Sequence, residues 1–330
     1  MPVSVRAAWY ERQGPAEDVL NVGDRDDPVP GGGEVRVRVR VSGVTTEDAK
    51  KRAGWLGHAM PYPLVVPHSD GAGEIEAVGA GIDPSRIGER VWCYGAQARR
   101  PFGTAAELVV VPERQAVRLP EHVSLGEGAC LGTAGLTAHR AVFADGPVAG
   151  KTVLVAGAAG AVGSFAAQLA AHGGATVLAT VRTPEDVRRA QRAGAEHVFV
   201  LGETGVASSI LEVAPRGVDR IVEVALSANL ELDAKVLGPS GVIAAYSSSE
   251  IEPRLPFWPL AFSNATLRLL GSDDFPEDAR EEAATALVQC LEERAIQIEI
   301  GAWFPLDQIA AAHMAVELPS GPGRVVVLLD

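Results

Sequence analysis

Between Glu34 and Val41 the chain alternates strictly, four valines (Val35, Val37, Val39, Val41) against three arginines (Arg36, Arg38, Arg40). A period of two puts the valines on one face, so the stretch predicts a half-buried strand with its arginines in a solvated row rather than an anion site. Gly31-Gly32-Gly33 breaks the chain just before it. Further short strands are expected at 64–66, 74–79, 90–94 and 106–111, a spacing that suggests a small barrel.

After Pro120 the pattern changes. Apolar runs near 153–156, 176–181, 197–201, 219–224, 241–246 and 266–271 alternate with helical or mixed segments, the pattern of a doubly wound parallel sheet. The tail differs again: a helix from about Pro276 to Arg294, a segment at 296–300, a helix around 306–317 and a strand at 324–329, which complete the first domain. No internal repeat, low-complexity tract or long charge run is present.

One junction carries chemistry. The apolar run Val153–Ala156 passes through Gly157-Ala158-Ala159-Gly160-Ala161-Val162-Gly163 into a helical pattern built on Phe165, Leu169 and alanines. In such a β-turn-α unit Gly160 lets the backbone approach a pyrophosphate, Gly163 lets helix and strand pack closely, and the free N–H groups of the helix start face the phosphates. Ala158 replaces the first glycine of G-x-G-x-x-G, with Gly157 one place earlier, so a plain tight turn is the alternative. Arg182 ends the next strand, where an NAD site carries an acid for the ribose. An acid repels a 2′-phosphate and a guanidinium holds it, so NADPH is the expected cofactor; a solvated strand-end charge is the bland alternative. Arg188 and Arg189 on the following helix either assist or face water.

At 330 residues, 47% apolar, the chain is long enough for two cores. No apolar run reaches the roughly eighteen residues of a membrane span, and the opening from Met1 to Tyr10 has no signal-peptide pattern, so a cytoplasmic enzyme is expected. A net charge of −13 argues against a nucleic-acid groove. Cys93, Cys130 and Cys290 are too far apart for a metal or redox motif and read as core thiols.

The chain resembles the medium-chain dehydrogenase/reductase superfamily over nearly its whole length, and within it the zinc-free NADPH:quinone oxidoreductase (zeta-crystallin-like) branch. The resemblance rests on Gly14–Leu20, Gly33-Glu34-Val35, Ser42–Asp48, Asp70–Ile75, Gly88–Val91, Gly103–Glu107, Leu136–Ala141, the turn at Ala158–Gly163 and the closing Gly323–Leu328. It implies an α/β protein: a GroES-like β-barrel catalytic domain at 1–122 and 271–330, and a doubly wound Rossmann nucleotide-binding domain at 123–270. It also implies a homodimer that pairs the edge strand near Leu267–Leu270.

Matching positions imply cofactor contacts at Ala159, Gly160, Ala161, Val162, Gly163, Arg182, Val224, Ala225, Tyr246, Ser247 and Arg324. Zinc-dependent relatives carry a cysteine where this chain has Thr45 and a His-Glu pair where it has Ser69-Asp70, so no metal is expected; His68 is one position off and reads as part of a turn and polar network. Thr45 and Lys50 replace an asparagine and a tyrosine of the quinone-reductase pattern, and Asp186 replaces a helix lysine useful to a 2′-phosphate. Thr45, Lys50 and Thr137 are the catalytic candidates. Lys50 would donate to a developing enolate, against the alternative of a solvated Lys50-Lys51-Arg52 face. Thr137 would lie near the nicotinamide, against the alternative of a hydroxyl bonded back to its own helix. Trp92, Tyr94, Phe257, Trp258 and Phe262 are candidates for an aromatic wall over a planar acceptor.

The expected activity is zinc-independent, NADPH-dependent reduction of a small-molecule quinone or α,β-unsaturated carbonyl, with no nucleic acid or membrane partner. An enoyl-thioester reductase of the same superfamily and a low-turnover NADPH-binding structural or sensor protein stay open as alternatives.

Overall fold

A computed structural model describes residues 4–57, 59–318 and 321–329; Met1–Val3, where the absence of a signal peptide was read, lie outside the described residues. The chain forms two compact units. One comprises Met1–Thr133, Ala284–Glu292 and Ile298–Asp330, the other Ala134–Ala283 and Glu293–Gln297.

The first unit is organised by the alternating strand, which runs from Glu34 to Val44. Its valines are buried and its arginines half-buried, as the period of two requires. The arginine row is partly neutralised, since Arg36 and Arg38 both pair with Glu76 on the neighbouring strand. Along one edge, 34–38 pairs antiparallel with Leu108–Pro112 and 41–44 with Arg324–Leu328; the other edge pairs with Asp70–Val78. Changing partner along its length lets this strand bend the sheet around one apolar core. The sheet continues through Arg90–Cys93 to Ala116–Arg118, and beyond Arg324–Leu328 to Ile300–Pro305, a parallel pair joined by helix Ile309–Glu317.

One expected strand is corrected. Residues 64–66 make only isolated bridges, Val65 to Tyr10 and Val66 to Phe102, because Pro63 and Pro67 beside them have no N–H for a ladder. The segment 296–300 leads into the strand Ile300–Pro305 and is itself irregular up to Glu299. The backbone of Gln297 is taken by a side chain, its N–H donating to Gln168 Oε1 (2.6 Å) and its carbonyl accepting from Gln168 Nε2 (3.2 Å).

The second unit is a six-stranded parallel sheet in the order His197–Val200, Thr176–Val181, Thr152–Ala156, Val218–Glu223, Leu237–Ala245, Thr266–Leu269. The chain starts in the middle and winds outward both ways, so the strands after Thr152–Ala156 and Val218–Glu223 diverge at a switch point where ligands bind. Helix Ala161–His172 packs Phe165, Leu169 and Ala170 inward.

An ion pair with one buried partner ties this sheet together. Arg220, 2% exposed in mid-strand, donates to Ala141 O and pairs with Asp145, which also holds Arg268 of the edge strand. The two guanidiniums, Arg268 first, draw the Asp145 carboxyl down to about 2 against the effect of burial. Asp145→Ala leaves Arg220 buried without its anion and is expected to cost about 3 kcal/mol of stability, read by denaturant unfolding.

Candidate active site

The apolar strand Thr152–Ala156 turns at Gly157, whose φ of +68° is the left-handed region that glycine tolerates without penalty. Gly160 caps helix Ala161–His172 from an extended backbone (φ −84°, ψ 177°) that any residue adopts. Gly163 is under a harder constraint: a Cβ there would stand 2.2 Å from the Gly157 carbonyl oxygen, closer than atoms can approach. So Gly157 and Gly163 are required by the fold, while Gly160, exposed at the tip, is not. Ala159, Ala161 and Val162 surround it, and the N–H groups at the start of the helix have no carbonyl within the helix to bond. A cradle open to backbone approach and rich in N–H donors fits a pyrophosphate.

Arg182 follows the end of the adjacent strand and is exposed, as is Arg188. Arg189 does not face water: it donates to Ala159 O at 3.0 Å and to Asp186 Oδ1 at 3.1 Å, tying the next helix to the turn. Asp186, which also accepts from Thr183 Oγ1 at 3.3 Å, is thereby neutralised, so its charge opposes a phosphate at Arg182 only weakly.

Val224-Ala225 and Tyr246-Ser247 leave the carboxyl ends of two neighbouring strands and are stitched together, Tyr246 N to Glu223 O (3.0 Å) and Leu226 N to Ser247 O (3.1 Å). Between them Glu223 is fully buried. Its Oε1 accepts from Ala225 N and from Asn229 Nδ2 (3.0 Å), and Asp233 lies behind it. The sequence reading missed Glu223, Asn229 and Asp233. The available signal was a carboxylate inside the apolar run Ile221-Val222-Glu223-Val224-Ala225. Thr137 is buried in helix Gly132–Phe143.

In the barrel unit, Thr45 is the N-cap of helix Thr46–Ala53: its hydroxyl donates to Asp48 Oδ2 (2.6 Å) and accepts from Asp48 N (3.3 Å). Burial lifts the Asp48 carboxyl to about 6 although the Thr45 bond holds it down. Lys50 is half-buried with its ammonium 4.3 Å above the Trp55 ring, and burial lowers its pKa. The alternative of a solvated Lys50-Lys51-Arg52 face does not hold: Lys51 pairs with Glu47 at 2.6 Å, and Arg52 is 1% exposed, bonded to Gly14 O and Glu317. Helix Ile309–Glu317, which supplies Glu317, packs there and covers Arg52.

Pro67–Asp70 is a polar network. His68, at φ +76°, bonds Ser42 Oγ through Nδ1 (2.8 Å) and His313 Nε2 through Nε2 (3.0 Å). Burial lowers both imidazoles, His313 to about 3. The Asp70 carboxylate accepts from Thr133 N (2.7 Å) and Thr133 Oγ1 (3.0 Å), and burial, then the Asp48 charge, raises it to about 7. Arg324 donates to Cys130 O (3.2 Å) and its field lowers Asp70, which places it inside the barrel unit. Burial pushes the Cys93 and Cys130 thiols up to about 12 and about 11, out of thiolate range. Among the described residues no three His, Cys, Asp or Glu are grouped to hold a metal ion. Trp92 and Tyr94 are core side chains and cannot form a wall over an acceptor as placed; Phe257, Trp258 and Phe262 are exposed, Trp258 meeting Phe257 edge-to-face and stacking on Phe262.

A bent antiparallel barrel and a parallel sheet with a glycine turn at its switch point define a dinucleotide-dependent dehydrogenase or reductase. Family models agree: an alcohol dehydrogenase GroES-like domain matches residues 31–121 and a zinc-binding dehydrogenase domain matches 161–287. The rat quinone oxidoreductase is 32% identical over 312 residues, covering 92% of this chain and 91% of that protein. A quinone oxidoreductase of Pseudomonas aeruginosa is 29% identical over 318 residues, covering 94% and 96%. A mycobacterial protein solved in complex with NADPH superimposes with a TM-score of 0.85 at 27% identity, covering 98% of this chain and all of that one. The chain belongs to the quinone oxidoreductase branch of the medium-chain dehydrogenase/reductase superfamily and is an oxidoreductase with a GroES-like domain and an NAD(P)-binding Rossmann domain. No helix among the described residues is long and apolar enough to cross a membrane.

Proposed function

We propose that the protein is an NADPH-dependent reductase of quinone or α,β-unsaturated carbonyl acceptors that works without zinc. The observation that carries the reading is the cradle at Gly160: its glycine is not needed by the backbone, yet it stands where a side chain would block a pyrophosphate. The cradle would hold the phosphates on backbone N–H groups, and Arg182, with Asp186 neutralised beside it, would hold the 2′-phosphate. Val224, Ala225, Tyr246 and Ser247 would meet the nicotinamide half. Bound, the reduced nicotinamide supplies a hydride.

The protein's own contribution is orientation and charge. An electron-poor acceptor needs alignment and a donor for the oxyanion that develops on it. Lys50, a partly desolvated ammonium, is the proposed donor, and burial makes its proton easier to give up. Thr45, whose hydroxyl is committed to Asp48, is proposed to fix the helix that carries Lys50, and Thr137 to face the nicotinamide. Work without zinc is supported by the donor set: protonated core thiols and an Asp70 held by Thr133. A second copy is proposed to pair along Thr266–Leu269, an edge strand with Leu269 70% exposed. Leu269→Lys is expected to shift sedimentation from dimer to monomer.

The deciding experiment follows NADPH and NADH oxidation with 1,4-benzoquinone and with crotonyl-CoA, each with a chelator present. Fast, chelator-resistant oxidation of NADPH by the quinone supports the proposal. Turnover on the thioester alone moves the protein to enoyl reduction, and saturable binding without turnover leaves a binding role.

A further inference from the structure

We propose that Glu223 is a positioning residue for the nicotinamide half of the dinucleotide, a buried carboxylate that clamps the segment Val224-Ala225 with Asn229 and Asp233 as its support. The inference rests on the dinucleotide reading above.

Three geometric facts carry it. Glu223 ends a strand at the switch-point edge of the sheet, where apolar residues fill the interior and a carboxyl group has no packing value. Its side chain turns back to its own chain: Oε1 accepts the N–H of Ala225, two residues on. That N–H belongs to the link between strand and helix Leu226–Val236, so the carboxylate fixes the conformation of the link directly. Its carbonyl accepts from Tyr246 N (3.0 Å), so the same residue also anchors the neighbouring segment.

The support is placed one turn apart on the following helix. Asn229 Nδ2 reaches both carboxylate oxygens, at 3.0 Å and 3.2 Å. Asp233, four residues further and 1% exposed, lies against the same carboxyl group, its Oδ2 buried without a hydrogen-bond partner. Two buried carboxyl groups in contact cannot both ionise. Burial raises both, and the Glu223 charge raises Asp233 further, so Asp233 is the one that keeps a proton while Glu223, which accepts from Ala225 N and Asn229, stays the acceptor. The Glu223 carboxylate lies behind Val224-Ala225 and accepts from an N–H and a side-chain amide.

A clamp at one end of the dinucleotide is separable from general damage by using a ligand that lacks that end. NADPH spans the whole site, whereas 2′,5′-ADP occupies the adenine half only. In Glu223→Ala the Kd for NADPH is expected to rise at least about tenfold, the loss of a bond to a charged group, while the Kd for 2′,5′-ADP stays within about twofold. Glu223→Gln, which keeps the acceptor oxygen, is expected to restore most of the NADPH affinity. The Ala225 amide is expected to exchange slowly with deuterium in the ligand-free wild type and faster in Glu223→Ala, a readout independent of turnover. If Glu223→Ala does not fold, Asn229→Ala serves the same comparison with a smaller change in the same direction. Equal weakening of both ligands, or an Ala225 amide as slow in the variant as in the wild type, overturns the clamp. Wild-type protein that binds neither ligand overturns the dinucleotide reading itself, a failure seen before any substitution is made, and the exchange rates still decide whether Glu223 holds the segment.

Discussion

Gly160→Val is expected to abolish dinucleotide binding and leave the fold intact, whereas Gly163→Ala is expected to damage both. Both glycines belong to the same turn, but the physical demand on them differs. Gly160 sits at φ −84°, and the nearest atom to an added Cβ is the Gly157 oxygen at 3.2 Å, a contact that a small shift relieves. A valine there keeps the cap, so thermal unfolding should move by no more than about 2 °C. The same side chain would project from the exposed tip into the space a pyrophosphate needs, and affinity for NADPH and NADH alike should fall at least about a hundredfold. Gly163 has no such freedom. Its Cβ would meet three backbone atoms of Gly157 and Ala158 within 3 Å, and backbone cannot step aside as a side-chain end can. Overpacking of this kind costs on the order of 3 kcal/mol, which lowers the melting temperature by roughly 6 to 12 °C for a unit of this size. Titration of nicotinamide fluorescence and a melting curve on each variant separate the two. Unchanged affinity in Gly160→Val would show that the site is misplaced.

Most of the architecture was legible because it rests on local periodicity. The valine and arginine alternation at 35–41 names its own buried face, and each of the six apolar runs after Pro120 became a strand of one parallel sheet. Apart from 64–66, broken by its flanking prolines, what failed involved partners distant in sequence. Lys50-Lys51-Arg52 reads as a solvated charge run, yet Arg52 is buried because Glu317 arrives from a helix some 265 residues away to pair with it. Trp92 and Tyr94 read as candidates for a ligand wall, but both are core side chains, Trp92 inside the strand Arg90–Cys93 and Tyr94 just past its end. The turn at Gly157–Gly163 was visible as a turn; that Gly160 is free of backbone strain and Gly163 is not required coordinates. Glu223 shows in the sequence only as an acid in an apolar run. Its pairing with Asn229 and Asp233 depends on which face of a helix lies over the end of the strand.

Arg182→Ala is expected to weaken NADPH roughly tenfold to a hundredfold while NADH changes by no more than about twofold. The residue follows Val181 at the end of its strand, exposed, next to the turn that would hold the pyrophosphate. Its guanidinium can bond a 2′-phosphate bidentately, and NADH has nothing there to bond. Two neighbours set the size of the effect. Arg189 cannot replace Arg182, because it is committed to Ala159 O and Asp186. Asp186 in turn cannot cancel Arg182, because Arg189 and Thr183 already hold it. Asp186→Ala should therefore strengthen NADPH only modestly, and chiefly by releasing Arg189. Because Arg182 is exposed, the preference for NADPH should shrink as salt rises and screens the phosphate, whereas the pyrophosphate contact, built on backbone N–H groups, should respond less. Kd values for both cofactors at low and high salt, in wild type and Arg182→Ala, make the test. Equal losses for NADPH and NADH would remove Arg182 from cofactor choice and return it to the role of a strand-end charge, leaving the glycine cradle to be judged on its own variants.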